Sequence, residues 1–377
     1  MVARKITVVQ MLPELESGGV ESVTLETAAF LAEQGHKSIV ISGGGKMADQ
    51  LKREGSHHLT WHHIGEKSPR CLKYIIPLRK LLVTEHVDIL HLRSRLPAWV
   101  GYIAWKSLPE KTRPRLVTTF HGFYSVNAYS EIMAKGEKVI AISKAIAVHI
   151  NTKYDVDDDR IEVIPEGINE NLFSPHTVSK ERINKLSEHW GLGSTDSPVI
   201  MLPGRITRLK GHDVFIKALT RIKHLQWNAV CVGAWDQKSS YYNELVDLVQ
   251  HSGLTHRINF TGNCTDMPAA YMLSDIVVSA SKKPESFGRT SVEAQAMGKM
   301  VIATAHGGSL ETVLHNKTGM LVKPDHVDDL AEALKDAINR IPLDMNTVKT
   351  ARSWIVENFT LNRMCCDTLN LYDSILH

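Results

Sequence analysis

A chain of 377 residues is long enough for two cores of ordinary size. Its 44 Lys+Arg against 41 Asp+Glu leave a formal charge of +3, too balanced for a protein that binds nucleic acid through net charge, so no nucleic-acid partner is expected and a charged partner must be met by a local patch. Five cysteines without a CxxC pair do not form an even disulfide framework and favour a reducing compartment, and no run approaches 18 uninterrupted apolar residues, so nothing is expected to cross a bilayer.

"KITVVQML" reads as a first strand, being short and followed by Pro-Glu instead of the small-residue cleavage site of a leader. The Gly18-Gly19 turn of "LESGGVES" then opens a helix whose apolar positions Val20, Val23, Leu25, Ala28, Ala29 and Leu31 recur at helical spacing, and "HKSIVISGGG" is the next strand. Strand, glycine loop, helix and strand in that order predict a parallel sheet with helical crossovers. Glycines at this turn let backbone amides approach a phosphate or sugar oxygen at a positive helix end, although the G-x-G-x-x-G spacing of a dinucleotide site is absent and a plain tight turn also accounts for them. "HHLTWHHIG" carries His57, His58, His62 and His63, but its Leu59, Trp61 and Ile64 recommend a strand with polar flanks over a metal site.

Further strands are expected at "VDILHLR", "RPRLVTTFHG", "EKVIAIS" and "DRIEVIPEG", with helices at "LKYIIPLRKLLVTEH" and "SKAIAVHINTKY". His91, after "VDIL", would then stand at a strand end where it could line a ligand site. In "EKSPRCLKYIIPLRKLL", Lys67, Arg70, Lys73, Arg79 and Lys80 interleave with Leu72, Tyr74, Ile75, Ile76, Leu78 and Leu81. That pattern belongs to an interfacial amphipathic helix and equally to a solvated crossover helix, and Pro77 weakens a long continuous one.

The polar, Pro- and Gly-rich stretch near 170–195 breaks the alternation around one short helix and marks a domain boundary. Alternation restarts with the strands "VIMLPGRI", "WNAVCVGAW", "INFTG", "DIVVSAS", "MVIATA" and "GMLV", separated by helices and apolar on both faces as a covered sheet requires. The expected division is 1–172, 173–355 and a terminal helix in 356–377, where Cys365-Cys366 reads as helix packing.

In "PGRITRLKG", Arg205 and Lys210 sit in a strand-to-helix connection that can present both cations at the C-terminal edge of the sheet, as two linked phosphates need, although taken alone they read first as solvent-exposed loop basics. "KPESFGRTSVEAQAMGK" holds Glu285 and Glu293 either side of Phe287-Gly288. Thr290-x-x-Glu293 fits a capping box that would occupy Glu293 with its own helix, with Gly298 as the stop, but capping gives no role to Glu285. A loop carboxylate there can accept sugar hydroxyls while the amides of 289–291 contact an oxyanion.

The ordered set "ESGGVE", "TTFHG" ending at His121-Gly122, "VIPEGINENLFSP", "GRITRLKG", "ESFGRTSVE" and "GGSLETV" resembles the large retaining glycosyltransferase family 4, glycosyl transferases group 1, over nearly the full chain. The resemblance implies an α/β protein of GT-B architecture, two Rossmann-like domains facing a central cleft, the first on the acceptor side and the second holding a nucleotide sugar, with the terminal helix packing back on the first. It implies metal-independent transfer, with retention, from a nucleotide-diphospho-sugar that is a donor substrate rather than a cofactor. Arg205 and Lys210 match the pair on the donor diphosphate, and Glu285, with the Phe287-Gly288-Arg289 backbone, matches the acid at the transferred sugar. Glu293 matches the ribose acid, His121 a histidine over the reacting sugar, and Gly18-Gly19 the loop near phosphates and acceptor. Base recognition would come partly from the turn Thr261 to Pro268. The hinge departs from the commoner Asn-Gly-Ile/Val-Asp in reading Glu166-Gly167-Ile168-Asn169. By analogy the donor is a UDP-sugar in preference to GDP-mannose and the acceptor a glycan or lipid-linked envelope saccharide, handled in the cytoplasm at the inner face of an anionic membrane. A noncatalytic nucleotide-sugar-binding protein is the alternative.

Overall fold

The computed structural model describes residues 4–16, 18–192, 197–236 and 238–377. The first three residues, Ser17 of the glycine turn and 193–196 of the polar stretch lie outside the described residues. The chain forms two compact units, Met1–Gly167 with Leu361–His377, and Ile168–Thr360. The divisions fall at 167/168 and 360/361, beside the expected limits of 172/173 and 355/356.

The first unit holds β1 (Thr7–Met11), β2 (Lys37–Ser42), β3 (His57–Thr60), β4 (Ile89–Leu92), β5 (Arg115–Phe120), β6 (Lys138–Ala141) and β7 (Ile161–Val163). They form one parallel sheet in the order β3-β2-β1-β4-β5-β6-β7. Central β1 pairs on both sides, Val9 opposite Ile39 and Leu90. Its Val8, Val9 and Met11 are wholly buried, as crossover helices on both faces of a parallel sheet require. The second unit repeats the plan with β8 (Val199–Pro203), β9 (Asn228–Val232), β10 (Ile258–Gly262), β11 (Ile276–Ser279), β12 (Met300–Thr304) and β13 (Met320–Val322), in the order β10-β9-β8-β11-β12-β13.

Three of the differences from the sequence reading have a local physical cause. The final segment is not one helix but two, Met345–Asn358 and Leu361–Leu376. Between them Phe359 receives the Ile168 N–H on its carbonyl, and Thr360 bridges to Ile168, so the backbone leaves the helix to pair. An additional helix spans Arg95–Lys106. Pro97 and Gly101 mask it in the sequence, yet Pro97 lies in its first turn, where proline is tolerated, and Gly101 lets the helix lie on β4, since a Cβ there would come 2.5 Å from Leu92 Cδ2. The basic stretch is a 3₁₀ turn, Pro69–Tyr74, running into the helix Ile75–Thr84, with Pro77 again in the first helical turn. There Leu78 and Leu82 are buried, while Leu72, Ile76 and Val83 are 48%, 79% and 51% exposed. Among the described residues no helix is long and apolar enough to cross a membrane.

The helix Leu361–Leu376 contributes Met364, Cys365, Leu371 and Tyr372 to the core around Ile6, Val8, Ile89 and Val117 of the first unit. His91 does not line a ligand site. It lies wholly buried within β4, its Nδ1 2.6 Å from Tyr372 Oη and its Nε2 2.6 Å from Thr119 Oγ1, and burial pushes its pKa well below the ordinary histidine value. Tyr372→Phe removes one of those two partners and leaves an imidazole nitrogen unsatisfied in the core. Stability should fall by about 1–3 kcal/mol, read as a lower urea midpoint with an unchanged slope.

Candidate active site

In an open parallel sheet, loops leaving neighbouring strands on opposite sides of a strand-order reversal part at the carboxyl edge and leave room for a ligand. In the second unit that reversal lies between β8 and β11. The loop after β8 carries Gly204, Arg205 and Lys210; the loop after β11 carries Ser281 and Glu285. Gly211 brings the two loops together. It has φ 70°, and a Cβ on it would lie 1.9 Å from the Ala280 carbonyl oxygen. The Lys282 N–H donates to the Leu209 carbonyl at 2.8 Å across the same junction. The result is an ion pair, Lys210 Nζ to Glu285 Oε1 at 2.5 Å.

The acidic loop is pinned from its other side by the loop after β12. The Gly308 N–H donates to the Glu285 carbonyl at 2.7 Å, and Cβ atoms on Gly307 and Gly308 would meet the Glu285 and Phe287 carbonyl oxygens at 2.3 and 2.4 Å. Ser281 Oγ donates to the same Glu285 oxygen as Lys210. His306 Nε2, 2.8 Å from the Ser281 carbonyl, stands behind it. Burial works to raise the Glu285 pKa, but the Lys210 charge and the Lys210 and Ser281 hydrogen bonds outweigh it and hold the carboxyl below the ordinary glutamate range.

Glu293 belongs to a second cluster. Its helix, Arg289–Ala296, is entered from Gly288 in the left-handed region at φ 97°, not from Thr290, and no side chain caps it. The carboxylate accepts from Tyr271 Oη at 2.8 Å and Arg289 Nε at 3.1 Å, so the capping-box expectation is corrected. Burial and then the Glu293 charge drive the Tyr271 hydroxyl far above its ordinary pKa, which keeps it a donor. Phe287 is buried edge-on to Phe359 with centroids 5.6 Å apart. Asp266, in the turn expected near the base, caps the helix Met267–Leu273 and takes both Arg182 Nε and Nη2 at 2.8 and 2.6 Å. Arg205 is exposed and borders a surface hollow of about 650 Å³ with Thr207, Arg208, Trp235 and Tyr241.

In the first unit the reversal lies between β1 and β4. Gly18 and Gly19 stand at the start of the helix Gly19–Glu33, after the loop from β1; a Cβ on Gly19 would meet no other atom of the described residues within 4 Å. His121 follows β5, its side chain 3% exposed and its Nδ1 3.4 Å from Glu166 Oε1. Burial lowers its pKa, against the raising effect of Glu166. Among the described residues no group of three or more His, Cys, Asp or Glu side chains is placed to hold a metal ion, the four histidines near β3 included.

Residues 17–172 match the family Glycosyltransferase Family 4, and 184–354 match Glycosyl transferases group 1. A glycosyltransferase from Rickettsia africae is 35% identical, with 99% of each chain covered and a TM-score of 0.90. The chain belongs to the GT-B glycosyltransferases of family 4. The D-inositol 3-phosphate glycosyltransferase of Salinispora tropica is 29% identical over 325 residues, 76% of this chain, and the chain spans 64% of that relative's length. The Anabaena HepE protein, solved in complex with UDP-glucose, is 23% identical over 98% of this chain and all of that one, with a TM-score of 0.82, a likeness of fold.

In this family 4 glycosyltransferase the structure therefore joins Lys210 to Glu285 and Arg289 to Glu293, and leaves Arg205 bonded to neither acid. Sequence reasoning missed Ser281, Tyr271, His306 and the Gly307-Gly308 support; the repeated glycine of "GGSLETV" was the available signal for the last. It also passed over the carboxylate facing His121. Because the folded Glu285 pKa is depressed, the unfolded chain binds the proton more readily, and the group adds stability that is complete above the unfolded value of about 4.3 and is lost as pH falls through the folded one. In Lys210→Met the largest lowering cause is gone and burial opposes ionisation, so the rise in urea midpoint between roughly pH 3 and 6 should flatten relative to the parent.

Proposed function

We propose that this enzyme transfers a sugar with retention of anomeric configuration from a nucleotide-diphospho-sugar, a UDP-sugar in preference to GDP-mannose, without a metal ion, to a saccharide or lipid-linked acceptor in envelope polysaccharide or glycolipid synthesis. The observation that carries the reading is the Lys210–Glu285 pair at the strand-order reversal of the second unit. A diphosphate and the sugar attached to it are adjacent groups of opposite demand, one needing cations and the other acceptors for its hydroxyls. An ammonium and a carboxylate held side by side meet both. Lys210 has three N–H donors and gives one to Glu285, which leaves two for phosphate oxygens. Glu285 spends one oxygen on Lys210 and Ser281 and keeps the other for a sugar hydroxyl. The HepE complex with UDP-glucose, in a protein of the same fold, supports the choice of donor class.

On this reading the acceptor hydroxyl attacks the anomeric carbon on the face from which the nucleotide diphosphate leaves, and a phosphate oxygen takes its proton. Arg205 and Lys210, with the amides at the start of the helix Arg289–Ala296, stabilise charge that grows on the leaving group, a contribution made chiefly in the transition state. Glu293 holds the ribose, His121 lies over the sugar, and the Gly18-Gly19 turn lies near the phosphates and acceptor. Glu285→Gln should keep the fold and nucleotide binding while lowering transfer roughly ten to a hundred-fold, the effect of losing a charged hydrogen bond worth about 1.5–3 kcal/mol. Initial rates with intact donor, beside thermal shifts with UDP, GDP and ADP, check this. Parent-like transfer by the variant would remove Glu285 from the reaction.

The exposed Leu72, Ile76 and Val83, bordered by the exposed Arg70, Lys73, Arg79 and Lys80, favour docking of the first unit on an anionic membrane over a plain crossover helix. The intact protein should sediment with anionic vesicles at low salt and less so at moderate salt, and Ile76→Glu should weaken this. Absence of binding to anionic vesicles in both conditions would defeat the membrane reading.

A further inference from the structure

Glu166 and His121 approach each other from two separate strand ends. His121 directly follows β5, and Glu166 lies just beyond β7. Their side chains are only 3% and 8% exposed, and His121 Nδ1 stands 3.4 Å from Glu166 Oε1. The other ring nitrogen, Nε2, is buried with no hydrogen-bond partner among the described residues. Both residues border a narrow space lined also by Val23, Arg93, Thr119, Ile140 and Thr368. A carboxylate this far out of water is costly unless it accepts hydrogen bonds, and plain packing would be served better by an apolar side chain. An unpartnered imidazole nitrogen is equally costly unless something fills its demand in the working state.

We propose that Glu166 is a positioning residue for His121: its carboxylate accepts the Nδ1 proton, holds the ring in one tautomer and orientation, and leaves Nε2 as the nitrogen offered to a hydroxyl of the donor sugar. This rests on the reading of His121 as a sugar-contacting residue. A carboxylate only accepts, so the nitrogen facing it must carry the proton; in a neutral ring the other nitrogen then has the lone pair. The charged and titratable groups facing His121 are Glu166 after β7, and Arg93 and His91 on and beside β4. Burial lowers the His121 pKa most, Arg93 adds to the lowering, and Glu166 opposes it, so the ring is the neutral form to which the tautomer argument applies near neutral pH. Arg93 is itself tied by Nε to Gln10 Oε1 at 2.7 Å and by Nη2 to Thr27 Oγ1 at 3.1 Å.

The full-length protein labelled with ¹⁵N-histidine provides the test, with His121→Gln used to assign the resonance among the 19 histidines. The parent should show His121 protonated at Nδ1 and bare at Nε2. In Glu166→Gln, which keeps the shape and removes the charge, the tautomers should mix and the imidazole midpoint should fall by about one pH unit. Transfer should drop roughly tenfold in kcat with little change in donor KM, a change of about 1.4 kcal/mol. Glu166→Asp, which keeps the charge at shorter reach, should restore part of the Nδ1 preference and the rate, and it carries the same measurement if Glu166→Gln does not fold. An unchanged tautomer and midpoint in Glu166→Gln overturns the proposal. A changed tautomer with parent-like transfer supports the positioning and overturns the sugar-contact reading of His121 on which it rests.

Discussion

Lys210 and Glu285 meet because backbone segments of two loops run closer together than any side chain between them would permit. Partly withdrawing an ammonium and a carboxylate from water costs more than a loose pairing returns, so such a pair endures only where its geometry is held from outside. Gly211 provides the approach on one side, against the Ala280 carbonyl, and Gly307 and Gly308 provide it on the other, against the backbone of Glu285 and Phe287. Backbone contact of this kind is stiff. It places the two charges without asking either flexible side chain to find the other at an entropic cost.

The same economy of construction follows from the sheets. Parallel strands buried on both faces leave the loops and helix starts beyond their ends to carry the chemically useful side chains, and the loops at the carboxyl edge on either side of a strand-order reversal open apart. In the second unit the polar residues gather there, and in the first the histidine and glutamate lie further along the same carboxyl edge, after β5 and β7. The second unit supplies a charged pair with a serine and a histidine behind it; the first supplies a buried histidine and glutamate, with Arg93 held by Gln10 and Thr27. Neither set is contiguous in sequence. Each is a product of strand order, which the parallel pairing of β8 with β11 and of β5, β6 and β7 makes visible.

Alternation of apolar runs with helical patterns was enough to read both sheets, because strands such as Val199–Pro203 and Met300–Thr304 are buried throughout and show it in composition. The spacing around Phe287-Gly288 also sets Glu285 and Glu293 apart in the sequence, and the structure pairs each with a cation, Lys210 and Arg289. What failed were local rules overridden by distant partners. Thr290-x-x-Glu293 is a sound capping pattern, but Gly288 in the left-handed region starts the helix earlier, and Tyr271 claims the carboxylate from another element. His91 looked like a strand-end residue until Tyr372, from the far end of the chain, supplied its hydrogen bond. The terminal helix looked continuous because nothing in Phe359-Thr360 announces a pairing with Ile168. Sequence patterns report neighbours along the chain, and these three outcomes were decided by neighbours in space.

On the proposed reading, the two cations of the second unit act differently on a donor. Arg205 is exposed and must be ordered each time a diphosphate arrives, so part of its attraction offsets lost side-chain freedom. Lys210 is already placed, but its charge is partly balanced by Glu285, so its pull on a resting diphosphate is weaker than that of a free ammonium. That balance shifts as the glycosidic bond breaks. Negative charge then increases on the leaving oxygens beside an ammonium that needs no reorganisation, while the carboxylate stands beside a sugar gaining positive character. A pair that moderates ground-state binding therefore favours the separated charges of the transition state on both sides of the breaking bond, which is the differential that accelerates transfer.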